Sequence, residues 1–314
     1  METMNRTAEH DLPDRVLAWV AQAVHPHAAV RSIRRLQGGI SSLLHQVTLR
    51  SPAHDGEIDV VVRLFDNAEW LEDEPDLARH EAECLRQAAR IGSLPTPRIV
   101  ACDETGRECG MPAVLMTRLE GSVVLEPRDT AGWVNGLAEA LAQIHATEPD
   151  GFPWNYYTYI DIGAITRQEW SAIPERWDEA VRIAGGPRPD AATRFIHRDY
   201  HPANVLWLGG QVSGVVDWVN GCLGPAGIDV GHCRLNLAML HGAQAADAFL
   251  SAYIRHAGPE FRYDPYWDLV SLMDILFEPP SVYRGWTDLG VKGLSDRLMR
   301  ERLDQYAASL LERV

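Results

Sequence analysis

Lysine is almost absent from this chain. Of its 29 basic residues only Lys292 is a lysine, and the others are arginines. Acidic residues number 44, so the formal net charge is −15. A nucleic-acid-binding protein normally presents a basic face, and this balance argues against nucleic acid as a partner. It is compatible with solubility and with a small cationic ligand.

Paired cysteines and long apolar runs are missing as well. The five cysteines form no Cys-x-x-Cys pair, which argues against a zinc site and favours free thiols in a reducing compartment. They are Cys84, Cys102, Cys109, Cys222 and Cys233. No apolar run approaches the length of a membrane span, and the polar start "METMNRTAEHDLPDRV" lacks the apolar core of a signal peptide. We therefore expect a cytoplasmic protein that does not contact a membrane.

The chain before residue 121 predicts a strand-rich structure with one inserted helix. A short helix is expected over residues 17–25. Residues 30–50 are typical of two strands joined at Gly38-Gly39, and the β-branched run at 58–65 predicts a central strand. Another strand is expected within residues 111–121, ending at a glycine.

The inserted helix carries a carboxylate on its apolar face. In "EPDLARHEAECLRQAARIG" a single helical stripe contains Leu77, Glu81, Cys84, Leu85, Ala88 and Ile91. Burying an unpaired carboxylate is costly, so Glu81 is expected to have a cationic partner.

Beyond residue 121 the pattern becomes helical. A helix is predicted from Asp129 or Thr130 as its N-cap, and the chain after residue 228 is predicted to be mostly helical. This change of character predicts an α+β protein with an N-terminal part at 1–118 and a C-terminal part at 119–314. The connection between them is expected at about residues 116–121.

The stretch "FIHRDYHPANVLWLGGQVSGVVDW", residues 195–218, concentrates polar residues of two different chemistries. His197, Asp199 and His201 are candidate ligands of a metallohydrolase. Alternatively, Asp199 is the base of a phosphotransferase, and Asn204 and Asp217 are its magnesium ligands. The first alternative explains less, because no further histidine or carboxylate cluster in the sequence completes a metal site.

A β-hairpin explains the spacing of the second set. Gly209-Gly210 is a pair typical of a two-residue turn. Leu208 would then face Gln211, and counting outward places Asn204 opposite Val215, about 7 Å from Asp217 by strand rise. The two oxygen ligands are expected at the same open end of the hairpin.

The motifs "HRDYHPANVL" and "GVVDW" resemble those of the aminoglycoside phosphotransferase family, whose members are related to protein kinases. The resemblance covers about residues 31–256. It implies a bilobal protein-kinase-like fold, with a β-rich N-terminal lobe that contains one helix and a mostly helical C-terminal lobe. The chain lacks the Asp-Phe-Gly and Ala-Pro-Glu motifs of protein kinases, which argues against a protein substrate.

Position by position, the resemblance implies roles for individual polar residues of these motifs. Asp199 is the implied catalytic base, and Asn204 and Asp217 are the implied ligands of Mg²⁺. His197 and Asp229 are implied to support the catalytic loop.

The same resemblance implies a nucleotide site for ATP or GTP. The residues concerned are Gly38, Gly39, Ser41 and Ser42 in a phosphate loop, Arg63 and Glu81 as an ion pair, and Met116, Thr117 and Leu119 at the adenine. Arg63 stands where protein kinases use lysine, and it would bind phosphate through a forked guanidinium.

The expected function is transfer of a γ-phosphoryl group to a hydroxyl of a small molecule, most simply an aminoglycoside-type antibiotic, in resistance or in metabolism. A macrolide, a hydroxylated metabolite and a nucleotide-binding pseudoenzyme are the alternatives. Acidic and aromatic residues of the C-terminal part are the candidate contacts of a cationic acceptor. They are Asp264, Asp268, Glu278, Trp154 and Tyr157, within a wider acidic set that includes Asp274. The sequence carries no signal for an oligomeric state.

Overall fold

The computed structural model describes residues 12–36, 42–53 and 55–314. These residues form two compact units. The first contains the described residues up to Ala89 together with Pro97–Leu119, and the second contains Arg90–Thr96 together with Glu120–Val314. The segment Arg90–Thr96 is attached to the second unit by hydrogen bonds, among them one from the Val215 N–H to the Pro95 carbonyl at 3.1 Å.

Five strands form the sheet of the first unit. They are β1 (Ala29–Arg35), β2 (Leu43–Arg50), β3 (Glu57–Leu64), β4 (Ile99–Asp103) and β5 (Ala113–Thr117). Their order is β1-β2-β3-β5-β4, and every neighbouring pair is antiparallel. β3 lies in the middle and is buried continuously from Val60 to Leu64. The residues of this buried stretch are apolar except for Arg63.

Three helices accompany this sheet. They are α1 (Asp14–Val24), α2 (Ala68–Asp73) and α3 (Leu77–Ala88). α1 begins three residues earlier than predicted, directly after Pro13, and packs Val16 and Val20 into the core. The short α2 was not predicted; the Asn67 side chain caps it by accepting from the Trp70 N–H. The stripe predicted for α3 is buried along its whole length.

The second unit is mostly helical and contains two small sheets. Its helices are α4 (Thr130–His145), α5 (Pro174–Ala184), α6 (Ala226–His241), α7 (Ala243–Ala257), α8 (Tyr266–Met273), α9 (Arg284–Asp288) and α10 (Asp296–Leu311). Its strands are β6 (Ser122–Val123), β7 (Thr193–Ile196), β8 (Val205–Leu208), β9 (Gln211–Val215) and β10 (Cys222–Pro225). β6, β8 and β9 form one sheet, and β7 pairs with β10.

Helix α6 forms the centre of this unit. It is buried on nearly all sides, from Ala226 to Leu240, and packs against α7, α8 and α10. A helix that is enclosed in this way carries apolar residues around its whole circumference. Polar residues on α6 are therefore exceptions that need partners, and Asp229, His232 and Arg234 are such residues.

The hairpin of β8 and β9 has the predicted turn but not the predicted register. Gly209 and Gly210 both have positive φ, as a type I′ turn requires, and Leu208 pairs with Gln211. A shift between Leu206 and Trp207 then places Val205, not Asn204, opposite Val215. The predicted Asn204 pairing is wrong because one irregular residue changes every pairing beyond it.

In the part of the chain that the structure describes, no helix has both the length and the apolar character that crossing a bilayer requires.

Candidate active site

The loop after β7 turns at Arg198, whose φ of 67° lies in the left-handed region. The carboxylate of Asp229, in the first turn of α6, accepts from the N–H of His197 at 2.7 Å and from the N–H of Arg198 at 2.6 Å. Asp229 is fully buried. Because a non-glycine residue in this conformation costs about 1–3 kcal/mol, the two hydrogen bonds stabilise the shape of the loop.

A second layer supports Asp229. His145 Nε2 lies 3.0 Å from its Oδ2, and His145 Nδ1 lies 2.6 Å from the hydroxyl of Tyr253. Burial raises the pKa of Tyr253, which keeps the hydroxyl protonated as a donor to Nδ1. With Nδ1 accepting from the Tyr253 hydroxyl, the Nε2 proton of His145 points to Asp229. Neither His145 nor Tyr253 was predicted as part of the site, since no local motif marks them.

Three side chains hold the carboxylate of Asp199. Its Oδ1 lies 3.1 Å from His232 Nε2 and 3.6 Å from His201 Nε2. Its Oδ2 accepts from Asn204 Nδ2 at 3.3 Å. The Asp199 side chain is 33% exposed, so a dissolved molecule can still reach it. An oriented and accessible carboxylate is what proton transfer from a hydroxyl requires.

The electrostatics of this group keep Asp199 ionised. Desolvation opposes its charge, but in acid, where both rings carry a second proton, attraction by His201 and His232 outweighs desolvation and holds the pKa of Asp199 well below its usual range. Desolvation lowers the pKa of His201 to about 4, so this ring is neutral near pH 7. Desolvation also opposes the charge of His232, but its hydrogen bond with Asp199 raises the pKa. The pairing with Asp199 therefore favours the charged form of the His232 ring.

Asn204 presents its amide in one orientation. Its Nδ2 donates to the backbone carbonyl of Asp199 at 2.9 Å as well as to the carboxylate, so these bonds do not use Oδ1. The Asn204 carbonyl accepts from the Val216 N–H at 2.9 Å, which brings the backbone preceding Asp217 to the catalytic loop. The amide oxygen of Asn204 and the carboxylate of Asp217 are hard oxygen ligands, and this donor set fits Mg²⁺.

The metallohydrolase alternative does not agree with the position of His197. This ring is fully buried, and its Nε2 lies 2.9 Å from the Val216 carbonyl. It is packed at 4.6 Å from the Trp218 ring. His197 therefore faces the interior and cannot join Asp199 and His201 as a metal ligand.

The structure brings a different histidine to these two residues. Possible ligand atoms of Asp199, His201 and His232 all lie within 4.8 Å of one another. However, His201 Nδ1 accepts from the Ala203 N–H at 3.2 Å, and its Nε2 lies 3.3 Å from Asn204 Nδ2 and 3.6 Å from Asp199 Oδ1. Both ring nitrogens already have partners in the catalytic loop, so hydrogen bonding explains the arrangement of this cluster better than a metal does.

A cavity of about 180 Å³ lies against Asp199. Its charged lining residues are two acids, Asp199 and Asp274, and two bases, Arg198 and His232. Desolvation raises the pKa of Asp274. Since Asp199 and His232 pair with each other, Arg198 and Asp274 are the charges most available to a bound molecule.

The guanidinium of Arg198 is held among tyrosine rings. It lies 5.4 Å, 4.6 Å and 3.6 Å from the ring centroids of Tyr156, Tyr157 and Tyr159. Its Nη2 also donates to the Tyr157 carbonyl at 2.7 Å. Cation–π contacts of this kind stabilise a positive charge in a defined position.

Most of the chain matches a known family. A sequence model described as the phosphotransferase enzyme family matches residues 32–266. The chain belongs to this family.

Curated relatives of this phosphotransferase are kinases of a small metabolite. The homoserine kinase of Methylocella silvestris is 32% identical over 164 residues, which are 46% of this chain and 48% of that protein. The homoserine kinase of Mesorhizobium japonicum is 32% identical over 155 residues, with similar coverage. The chain thus spans about half the length of the curated relatives it matches.

Solved structures share the fold of this phosphotransferase at low identity. The macrolide 2'-phosphotransferase MphH from Brachybacterium faecium has a TM-score of 0.57 at 17% identity, covering 91% of this chain and 98% of that one. A variant of aminoglycoside phosphotransferase APH(4)-Ia, in a ternary complex with ADP and hygromycin B, has a TM-score of 0.59 at 15% identity, covering 96% and 98%. At these identities the likeness establishes the fold alone, and it is the mixed kinase-like fold expected from the motifs.

Those residues assigned to the nucleotide that the structure describes lie in the first unit of this phosphotransferase. Arg63 on β3 and Glu81 on α3 form the expected buried ion pair, with Nε and Oε1 3.3 Å apart. Ser42 is buried directly before β2, and among the described residues its hydroxyl has no hydrogen-bond partner. Gly38, Gly39 and Ser41 lie outside the described residues.

The connecting segment differs in part from the expectation. The Thr117 N–H donates to the Arg98 carbonyl at 2.9 Å, and the Arg118 N–H lies 3.4 Å from the Asp59 carbonyl. These amides continue the pairing of β5 with β4 and with β3, so the Thr117 N–H is not available to an adenine. Met116 is buried on β5, and Leu119 follows the strand as a partly buried residue.

Of the candidate acceptor residues, Tyr157 lines the cavity beside Asp199. Asp268 does not, because its side chain is 1% exposed and lies 2.6 Å from Arg234 Nη1. The assignment of Asp268 to an acceptor is therefore wrong: a fully enclosed carboxylate paired with arginine cannot meet a dissolved molecule.

The other candidates lie elsewhere in the second unit. Asp264 caps α8 by accepting from the Tyr266 N–H and lines a different cavity of about 670 Å³. Trp154 packs against Phe152, and its carbonyl accepts from the Leu223 N–H. Glu278 is exposed in the segment after α8.

Proposed function

We propose that this protein transfers the γ-phosphoryl group of ATP to a hydroxyl of a small molecule, with Asp199 as the catalytic base. The observation that carries the proposal is the carboxylate of Asp199 itself. It is ionised, oriented by His232 and Asn204, and next to a cavity of about 180 Å³. Membership of the phosphotransferase enzyme family supports the reaction class.

In this proposal Asp199 orients the acceptor hydroxyl and takes its proton as the new P–O bond forms. The bond between the γ-phosphorus and the ADP oxygen breaks, and ADP leaves with the electron pair. Such transfers depend mainly on positioning and on stabilising charge. Asp229 accepts from the N–H groups of His197 and Arg198 and so holds the loop backbone in place. Because Asp199 follows directly, these hydrogen bonds also determine the position of its Cα atom.

The oxygen ligands Asn204 and Asp217 are proposed to hold Mg²⁺. When bound, Mg²⁺ offsets the negative charge of the nucleotide phosphates. Because Asn204 donates to the Asp199 carbonyl through Nδ2, its amide oxygen Oδ1 remains to bind Mg²⁺. Arg63, kept in place by Glu81, is the proposed phosphate contact of the first unit.

Homoserine is the acceptor that we propose first. Curated homoserine kinases match about half of the chain. The cavity is smaller than the 300–1,000 Å³ typical of pockets for drug-sized ligands, and its lining includes the guanidinium of Arg198 and the carboxyl group of Asp274. That combination suits a small molecule with a carboxylate and an ammonium group.

An aminoglycoside, the acceptor expected from the motifs, is the second candidate. It is supported by the shared fold with a phosphotransferase that binds hygromycin B. Its several cationic groups would need more carboxylates and more volume than the cavity beside Asp199 offers. Homoserine is therefore preferred to the antibiotic.

The decisive experiment is an acceptor screen by mass spectrometry. Purified protein with Mg²⁺ and ATP, or GTP in parallel, is incubated with homoserine, hygromycin B and a macrolide, and the phosphate mass increment is sought in each acceptor. We expect it in homoserine. We further expect Asp199→Asn to lower kcat at least about 100-fold while nucleotide binding, measured by calorimetry, is retained.

The outcomes separate the alternatives. Phosphorylation of hygromycin B but not of homoserine would overturn the acceptor and leave the reaction class intact. Nucleotide binding without transfer to any acceptor would identify a pseudoenzyme. Full activity in Asp199→Asn would contradict the assignment of the base.

A further inference from the structure

Helix α6 places two polar residues one turn apart against the catalytic loop. Asp229 accepts from the backbone N–H groups of His197 and Arg198, and His232, three residues later, contacts the side chain of Asp199. Residues at i and i+3 lie on the same face of a helix. The same face of α6 therefore holds the loop backbone through Asp229 and the carboxylate of Asp199 through His232.

We propose that His232 is a positioning residue for phosphoryl transfer, which holds one oxygen of the Asp199 carboxylate so that the other faces the acceptor hydroxyl. This role rests on the proposed function of Asp199 as the base. His232 belongs to neither of the motifs "HRDYHPANVL" and "GVVDW", and only the packing of α6 brings it to the site.

The contacts of Asp199 show why a dedicated partner is needed. Asn204 Nδ2 divides its hydrogen bonding between the Asp199 carbonyl at 2.9 Å and Oδ2 at 3.3 Å. His201 is farther from Oδ1, at 3.6 Å, and neutral near pH 7. The His232 contact at 3.1 Å is the shortest of the side-chain contacts described for this carboxylate. Without it, the carboxylate can rotate about its Cα–Cβ and Cβ–Cγ bonds.

The surroundings of His232 favour a cationic ring. The acidic groups that act on it are Asp199, Asp274 and Asp229, and the His201 ring lies 5.7 Å away, centroid to centroid. Its side chain is 23% exposed and lines the cavity of about 180 Å³. A charge-assisted hydrogen bond is stronger and more directional than a neutral one, which suits the role of holding an oxygen in place.

The test compares four variants by steady-state kinetics with the acceptor found in the screen. His232→Gln retains an N–H donor near the position of Nε2, His232→Asn is too short to place one there, and His232→Ala removes the donor. His256→Gln, at an exposed histidine on α7, is the matched control. A displacement of about 1 Å at a reacting group costs about 100-fold in rate, which sets the scale of the effect.

We expect His232→Ala and His232→Asn to lower kcat by about 30–100-fold, with KM for ATP changed less than about twofold. We expect His232→Gln to retain kcat within about fivefold and His256→Gln to behave as the wild type. Unchanged kcat in His232→Ala, or equal losses in the Gln and Asn variants, would overturn the proposal.

A spectroscopic readout is independent of turnover. The titration of the His232 ring is followed by NMR in the wild type and in Asp199→Asn. We expect the midpoint to move to lower pH in the variant, because the carboxylate that stabilises the charged ring is gone. An unchanged midpoint would show that the His232 and Asp199 side chains do not pair. A shifted midpoint in a protein that phosphorylates no acceptor would confirm the pairing and reject the proposed function.

Discussion

Arg198 shows how a single residue conformation depends on one buried carboxylate. Its left-handed backbone is unfavourable for a residue with a Cβ atom. Asp229 offsets this cost by accepting from the two consecutive N–H groups of His197 and Arg198, and His145 completes its hydrogen bonding. The negative charge matters because each of these bonds is then charge-assisted.

We therefore expect Asp229→Asn to destabilise the protein by about 2–4 kcal/mol and to remove most of its activity. The amide replaces one acceptor oxygen by a donor that faces other donors. The measurement is thermal unfolding followed by circular dichroism, together with kcat. Asp264→Asn, at a partly exposed helix cap, is the control. Similar unfolding temperatures for both variants would contradict the role given to Asp229.

At the scale of elements, one buried ion pair and the further contacts of its two members connect four helices of the second unit. Arg234 on α6 lies 2.6 Å from Asp268 on α8, and Asp268 accepts from the Tyr306 hydroxyl on α10 at 2.7 Å. Arg234 also reaches Asp247 on α7 at 2.8 Å. These enclosed groups specify how the helices are placed relative to one another.

Removing one member of such a pair leaves a buried charge without its nearest partner. We expect Asp268→Asn to cost about 3–5 kcal/mol of stability. We also expect KM for the acceptor to be unchanged, because Asp268 does not line the cavity beside Asp199. Chemical denaturation and acceptor kinetics measure the two effects separately. A raised KM for the acceptor with unchanged stability would show that Asp268 contacts the acceptor after all.

At the scale of the whole molecule, the acidic residues number 44, and those with partners in the folded state make its stability depend on pH. Asp247 is an example: desolvation opposes its charge, but the hydrogen bond from Arg313 and attraction by Arg234 lower its pKa. A carboxyl group whose pKa is lower in the folded state stabilises that state above its unfolded pKa. The contribution disappears as the pH falls through the folded pKa.

We expect the wild type to be more stable than Asp247→Asn, with the largest difference near neutral pH. The difference should decrease below pH about 4, near the pKa of aspartate in the unfolded state. Denaturation midpoints at a series of pH values provide the measurement. Gln244→Ala, an uncharged exposed position on the same helix, is expected to show no such trend. A difference that stays constant down to pH 3 would contradict the coupling.

Local patterns in the chain were sufficient for much of this architecture. The helical stripe from Leu77 to Ala88 is buried, and the β-branched run from 58 to 65 is the central strand β3. Glu81 on that stripe pairs with Arg63, as a buried carboxylate requires. These predictions succeeded because helical and strand periodicities report burial directly.

Other features had no local signature. One irregularity between Leu206 and Trp207 shifts the register of β8 and β9. The predicted pairing of Asn204 with Val215 was therefore wrong. In the sequence, Asp268 resembles the exposed acidic residues around it. Only the packing of α6, α8 and α10 shows that its side chain is enclosed. His145, Tyr253 and His232 come to the catalytic loop from separate helices, over long distances in sequence.

The sequence by itself carried the motifs around Asp199, Asn204 and Asp217, and their resemblance to the aminoglycoside phosphotransferase family implied the reaction class. Family membership and the shared fold agree with that reading. The tertiary structure decided which groups surround Asp199, how large the adjoining cavity is, and that its charges are of both signs. These properties depend on contacts between distant segments, which only the folded chain brings within hydrogen-bonding distance.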